Sequence, residues 1–153
     1  MEFKSRRNHF LVSIISLLFF FSFSESGRET QIVVLDAYLK KPLEGALSSA
    51  AYMSLKNTSD SKIKIKGLTC NNLLAEFHQT IIKDSGMLSM NKLNLLTLEP
   101  KSEITLAPGK DHIMLMGKSM SNITEGINCD LIIEDIDSFP PFKRVPVFFE
   151  IRD

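Results

Sequence analysis

Glu103-Ile104-Thr105-Leu106-Ala107-Pro108-Gly109-Lys110-Asp111-His112-Ile113-Met114-Leu115-Met116 reads as two short extended runs separated by a tight turn. Pro108-Gly109 is strong turn chemistry. The run after it alternates: on a strand His112, Met114 and Met116 project from one face, and Ile113 and Leu115 from the other. Working outward, the same pattern of short runs and polar breaks recurs. Gln31 to Leu39 is interrupted by Lys40-Lys41-Pro42, and Ala46 to Lys56 alternates around Ala51, Met53 and Leu55 before the polar turn Asn57-Thr58-Ser59-Asp60. Lys62, Lys64 and Lys66 form the solvated face of a strand whose other face carries Ile63 and Ile65. Leu73 to Ile82 is apolar enough for a strand ended by Asp84-Ser85-Gly86; its period also permits a short helix, but no companion helix is available to pack against it. Ile127 to Glu134 and Arg144 to Ile151, separated by Phe139-Pro140-Pro141, complete the series, with Phe148, Phe149 and Ile151 expected in the core. Strands at this spacing predict an all-β sandwich or barrel.

The N-terminus has a different character. Lys4, Arg6 and Arg7 precede an almost wholly apolar stretch from Phe10 to Phe23, and small residues follow at Ser22, Ser24 and Ser26. This is the pattern of a secretory signal peptide over residues 1–26, and the apolar stretch is short of the roughly 20 residues a spanning helix needs. No cysteine lies near the cleavage region for lipid attachment, so no stable membrane anchor is expected after cleavage. Residues 27–153 then form one exported domain, large enough to bury a core of its own. Removing the signal leaves 15 Lys and Arg against 16 Asp and Glu. A charge so close to zero supplies no electrostatic argument for nucleic acid or anionic membranes.

Residues 78 to 116 concentrate one kind of chemistry. His78, Met87, Met90, His112, Met114 and Met116 include both histidines outside the signal segment, and five of the seven methionines lie between residues 87 and 120. Thioether and imidazole donors suit Cu(I), whereas magnesium and calcium take oxygen. No Cys or acidic cluster offers a competing zinc geometry. Each residue alone is more simply read as packing, since methionine is a common gap-filler; their concentration is what favours a metal.

His78 through Gly117 resembles the PCuAC-type periplasmic copper chaperones, whose motif is His, ten residues, Met, twenty-one residues, His-x-Met. Here twenty-one residues separate Met90 from His112-Ile113-Met114, and His-Ile-Met-Leu-Met-Gly is typical of that family. Eleven residues, not ten, separate His78 from Met90, so the connecting loop is one residue longer and Met87 stands as the alternative sulfur. The resemblance extends more weakly over the mature chain. It implies a cupredoxin-like Greek-key β-sandwich and a periplasmic copper chaperone, with His78, Met90, His112 and Met114 as Cu(I) ligands. Met116 would stand behind the ligands, with Met87 and Met120 as adaptable neighbours. The family passes copper towards the dinuclear copper centre of respiratory oxidase and works with a thioredoxin-like copper chaperone, so an oxidase copper-centre subunit and such a chaperone are the expected partners of a monomer.

Alternatives remain beside this reading. A secreted β-sandwich interaction module would use the methionines only for packing, and a copper storage or buffering protein would use the same ligands without delivery. A hydrolase finds no support: there is no G-x-S-x-G, and neither histidine has a nucleophile at recognisable spacing. A blue-copper electron carrier needs a cysteine thiolate with two histidines, and Cys70 and Cys129 lie outside the His-Met set. Those cysteines either pair, as an oxidising compartment allows, or remain buried as two small apolar residues.

Overall fold

The computed structural model describes residues 31–118, 120–135 and 139–153; the segment read as a signal peptide lies outside them. Ten strands follow one another: β1 (Ile32–Lys40), β2 (Ser48–Asn57), β3 (Ile63–Cys70), β4 (Leu74–Ile82), β5 (Leu88–Leu93), β6 (Leu96–Leu98), β7 (Glu103–Leu106), β8 (His112–Met116), β9 (Gly126–Glu134) and β10 (Phe142–Arg152). A 3₁₀ turn at Met120–Asn122 lies between β8 and β9. The sheet runs in the order β5-β4-β8-β2-β1-β10-β9-β3-β6. Its β1–β10 pair is parallel and the other strand pairs are antiparallel. The chain is therefore the all-β sandwich that its turn spacing implies.

Alternation decides what is buried. Ala51, Met53 and Leu55 of β2, Ile63 and Ile65 of β3, and Ile113 and Leu115 of β8 all enter one core with Leu131, Val145, Val147 and Phe149. Lys64 and Lys66 stay in solvent and pair with Glu134, the first of them doing most to hold its carboxyl below the ordinary value. The same parity corrects one expectation at the C-terminus. Phe149 is fully buried, but Phe148 is 54% exposed because successive strand residues face opposite ways. Ile151 is half-buried. Strands β5 and β6 lie outside the series read from the sequence: Leu88 and Met90 of β5 alternate with Ser89 and Asn91 but stay exposed, and the strand forms by pairing with β4.

Strands β7 and β8 are two pieces laid along one partner. Met53–Lys56 of β2 pairs with β7 and Ser48–Ala51 pairs with β8. Between them the chain leaves the sheet at Ala107 and rejoins at Asp111, closed by hydrogen bonds from Lys110 N to Ala107 O and from Ala107 N to Asp111 O. Pro108-Gly109 is thus a loop thrown out of a nearly continuous strand, and it delivers His112 to the start of β8.

Cys70 and Cys129 sit directly opposite each other on β3 and β9 and form a disulfide, on strands other than those that bear the histidines. Where β2 ends, fully buried Asn57 ties three segments together. Its amide donates to the carbonyls of Ser61 (2.7 Å), Glu99 (3.0 Å) and Leu98 (3.4 Å). Its Oδ1 accepts from the backbone N–H (2.9 Å) and hydroxyl (2.7 Å) of Ser59. Gly126 opens β9 at φ 142°, where a Cβ would come within 2.5 Å of the Phe148 ring and the Phe149 carbonyl oxygen; no other residue fits there without moving β10.

Candidate metal centre

The pairing of β4 with β8 places His78 directly opposite His112. Opposed residues of an antiparallel pair project to the same side, so the register also puts Glu76 and Met114 together on that face, and Leu74 with Met116. On the other flank, β5 sets Lys92 opposite His78 and Met90 opposite Thr80. The alternate residues Phe77, Ile113 and Leu115 go to the core, which fixes both strands so that the outer face cannot slip by one residue.

The two imidazoles lie with centroids 5.8 Å apart and planes at 59°. With metal–imidazole bonds of about 2 Å, one ion held between two rings requires centroids roughly 5–6.5 Å apart, so the spacing admits a shared ion. Each ring has one nitrogen committed elsewhere. Nδ1 of His112 lies 3.1 Å from the Lys110 carbonyl, which only accepts, so this nitrogen carries the proton and Nε2 keeps its lone pair. The Thr80 hydroxyl donates to the same carbonyl at 2.8 Å and lies 3.5 Å from Nδ1. In His78 the arrangement is reversed. Nε2 lies 3.1 Å from Glu76 Oε2, while Nδ1 is buried without a hydrogen-bond partner. A buried nitrogen with no protein partner is costly unless water or another ligand meets it, and on a face that also carries Met114 and Met90 its lone pair fits a soft metal.

Glu76 is the residue that the sequence reading missed. Its Oε1 accepts from Lys92 Nζ at 2.6 Å while Oε2 engages His78. The Lys92 contact first and the His78 contact second hold its carboxyl below the ordinary value. The available signal was the Glu-x-His spacing of Glu76 and His78, which on a strand puts both on one face.

The predicted set is brought together unequally. His78, His112 and Met114 are adjacent across β4 and β8, with His112 only 5% exposed and Met114 half-buried. Met90 shares the face but lies on β5, beyond Thr80 and on the opposite side of His78 from Met114, and it is 55% exposed. Met87 lies outside β5 in the turn that Lys83 N closes on its carbonyl at 2.9 Å. Gly86 of that turn adopts φ 77°. Met116 is on the outer face opposite Leu74 and Ser48. Met120, expected as an adaptable neighbour, is fully buried in the hydrophobic core. Among the described residues no group of three or more His, Cys, Asp and Glu is placed to hold a metal ion.

Residues 32–134 match the profile of the family described as "Putative lipoprotein LpqE-like". The copper-bound PCuAC domain from PmoF2 is similar with a TM-score of 0.62 and 22% identity, over 80% of this chain and 93% of that one. The apo PCuAC domain from PmoF1 gives 0.61 and 22%, covering 80% and 94%. The solution structure of apo-DR1885 from Deinococcus radiodurans gives 0.53 and 25%, covering 80% and 79%. These likenesses establish the cupredoxin-like form of the sandwich. A comparison with curated proteins gives no match.

Proposed function

Because the chain belongs to the LpqE-like family of PCuAC type, we propose that it is an exported copper chaperone whose cargo, Cu(I), is held by His78, His112, Met114 and Met90. The observation that carries this reading is the opposed histidine pair, in which Nε2 of His112 and the orphan Nδ1 of His78 are the nitrogens left free. Met114 adds a thioether from the same strand as His112, and Met90 closes the set from the edge strand β5. Neutral sulfur donors favour Cu(I) over Cu(II) and remain available where thiols are lost to disulfides. Both cysteines of this sequence are already joined to each other.

Carriage and release both follow from this placement. The imidazoles and Met114 sit on β4 and β8, whose other faces are locked into the core, whereas Met90 sits on an exposed edge. An acceptor can displace the Met90 sulfur first and receive the ion before the imidazoles let go. The copper centre of a respiratory oxidase is the acceptor that we propose, with a thioredoxin-like copper chaperone as collaborator. The test is an anaerobic Cu(I) titration of residues 27–153 against a competing chelator, with Zn(II) in parallel. One Cu(I) per chain, retained against excess Zn(II), is the expected result; no binding, or equal binding of both metals, would overturn the proposal.

A further inference from the structure

We infer that Glu76 is a positioning residue of the copper site: it fixes His78 as the Nε2–H tautomer and so presents Nδ1 to the metal, while His112 presents Nε2. The inference rests on the function proposed above. A carboxylate at 3.1 Å from Nε2 accepts a hydrogen bond, and the proton it holds on that nitrogen leaves Nδ1 with a lone pair. That lone pair is the one buried without a partner. The Lys110 carbonyl does the same to His112 from the other nitrogen. The two rings therefore meet one ion through different atoms, each held by an acceptor on its far side, the arrangement by which outer groups orient histidine ligands.

The geometry also explains why the acceptor is charged at one histidine and neutral at the other. His112 is nearly enclosed, at 5% exposed, and its acceptor is a backbone carbonyl fixed by the Pro108-Gly109 loop and by Thr80. His78 lies on the β5 side, and among the described residues its ring hydrogen-bonds to Glu76 and to no backbone group. Its acceptor is a side chain, and that side chain needs its own anchor: Lys92, directly opposite His78 on β5, holds Oε1 at 2.6 Å and leaves Oε2 for the ring. Glu76, His78 and Lys92 thus form a chain across two strands that ends at the donor atom.

Nitrogen-15 NMR of the histidine rings tests this in the apo and Cu(I)-loaded wild-type protein. His78 is expected as the Nε2–H tautomer and His112 as the Nδ1–H tautomer in the apo form, with both protons retained when copper binds. Glu76→Ala should leave His78 without tautomer preference, leave His112 unchanged, and weaken Cu(I) binding by roughly 10–100-fold. Glu76→Gln keeps an acceptor and should recover most of that loss. A wild-type His78 protonated on Nδ1, or a Glu76→Ala protein with unchanged tautomer and affinity, would overturn the inference while leaving the copper function standing. A wild-type protein that takes up no Cu(I) would overturn both. The wild-type spectra decide the tautomers even where an alanine variant does not fold.

Discussion

Met114 and Met120 are six residues apart and share a side chain, yet the fold gives them opposite work. Met114 stands beside His112 on the outer face of β8, half-buried and opposite Glu76. Met120 is fully enclosed in the core. Met114→Ala is expected to weaken Cu(I) binding by at least tenfold with little change in unfolding midpoint. Met120→Ala should do the reverse, costing about 2–5 kcal/mol in denaturant unfolding at unchanged affinity. Chelator competition and urea titration on the same two proteins separate the effects. Protons compete with copper for both imidazoles and for neither thioether, so Cu(I) affinity should fall as pH is lowered. The limiting slope should approach about two decades per pH unit, one for each proton displaced. His78→Met, which keeps a soft donor, should reduce it to about one; an unchanged slope would exclude His78 as a ligand. At this scale the sequence was legible where alternation applied, as at His112, Met114 and the buried Ile113. For Glu76 it offered only the Glu-x-His spacing, and the role of that residue depends on β5 bringing Lys92 across from His78.

The β4–β5 hairpin is the element that carries Met90, the proposed fourth donor. Pairing of Thr80 with Met90 keeps that methionine on the face of the histidines, and the turn at 83–87 is closed by Lys83 N on the Met87 carbonyl. Met90→Ala is therefore expected to lower Cu(I) affinity and Met87→Ala to leave it unchanged. A metal-bound structure with the Met87 sulfur on copper would reverse that order. The hairpin was only half visible in the sequence. Apolar content marks β4, but β5 is an edge strand whose Leu88 and Met90 face solvent and whose existence is decided by its partner. Strand pair β3–β9 offers the contrasting case. Cys70 and Cys129 are 59 residues apart in sequence, so their bond removes roughly 4 kcal/mol of unfolded-chain entropy in the loop-closure model. Replacing both by serine should lower stability by about 2–4 kcal/mol while leaving Cu(I) affinity within a factor of two or so of wild type, because neither cysteine shares a strand with the histidines. A collapse of affinity in a variant that still folds would show that the two regions are coupled.

For the molecule as a whole, turn spacing and period-two alternation were enough to read an all-β sandwich, because each strand's inner face had to meet the same core. The order of the strands was not readable from those signals. Non-local pairings such as β4 with β8 and parallel β1 with β10 are settled by the packing of the complete set. Asn57 belongs to this scale, since it joins the ends of β2 and β6 and the turn before β3 from inside the protein. Asn57-Thr58-Ser59 is also an acceptor triplet for N-linked sugar, as is Asn122-Ile123-Thr124. Sugar attaches to the amide nitrogen, and in Asn57 that nitrogen is spent on three carbonyls in a fully enclosed position. Asn122 is exposed. Secreted from a eukaryotic host that glycosylates chains before they fold, the protein should divide into two populations. Mass spectrometry of the soluble, oxidised fraction is expected to find glycan at Asn122 alone, with Asn57-modified chains retained in the cell; a soluble, copper-binding form glycosylated at Asn57 would contradict this. The choice of expression host thus becomes a determinant of whether this sandwich can close at all.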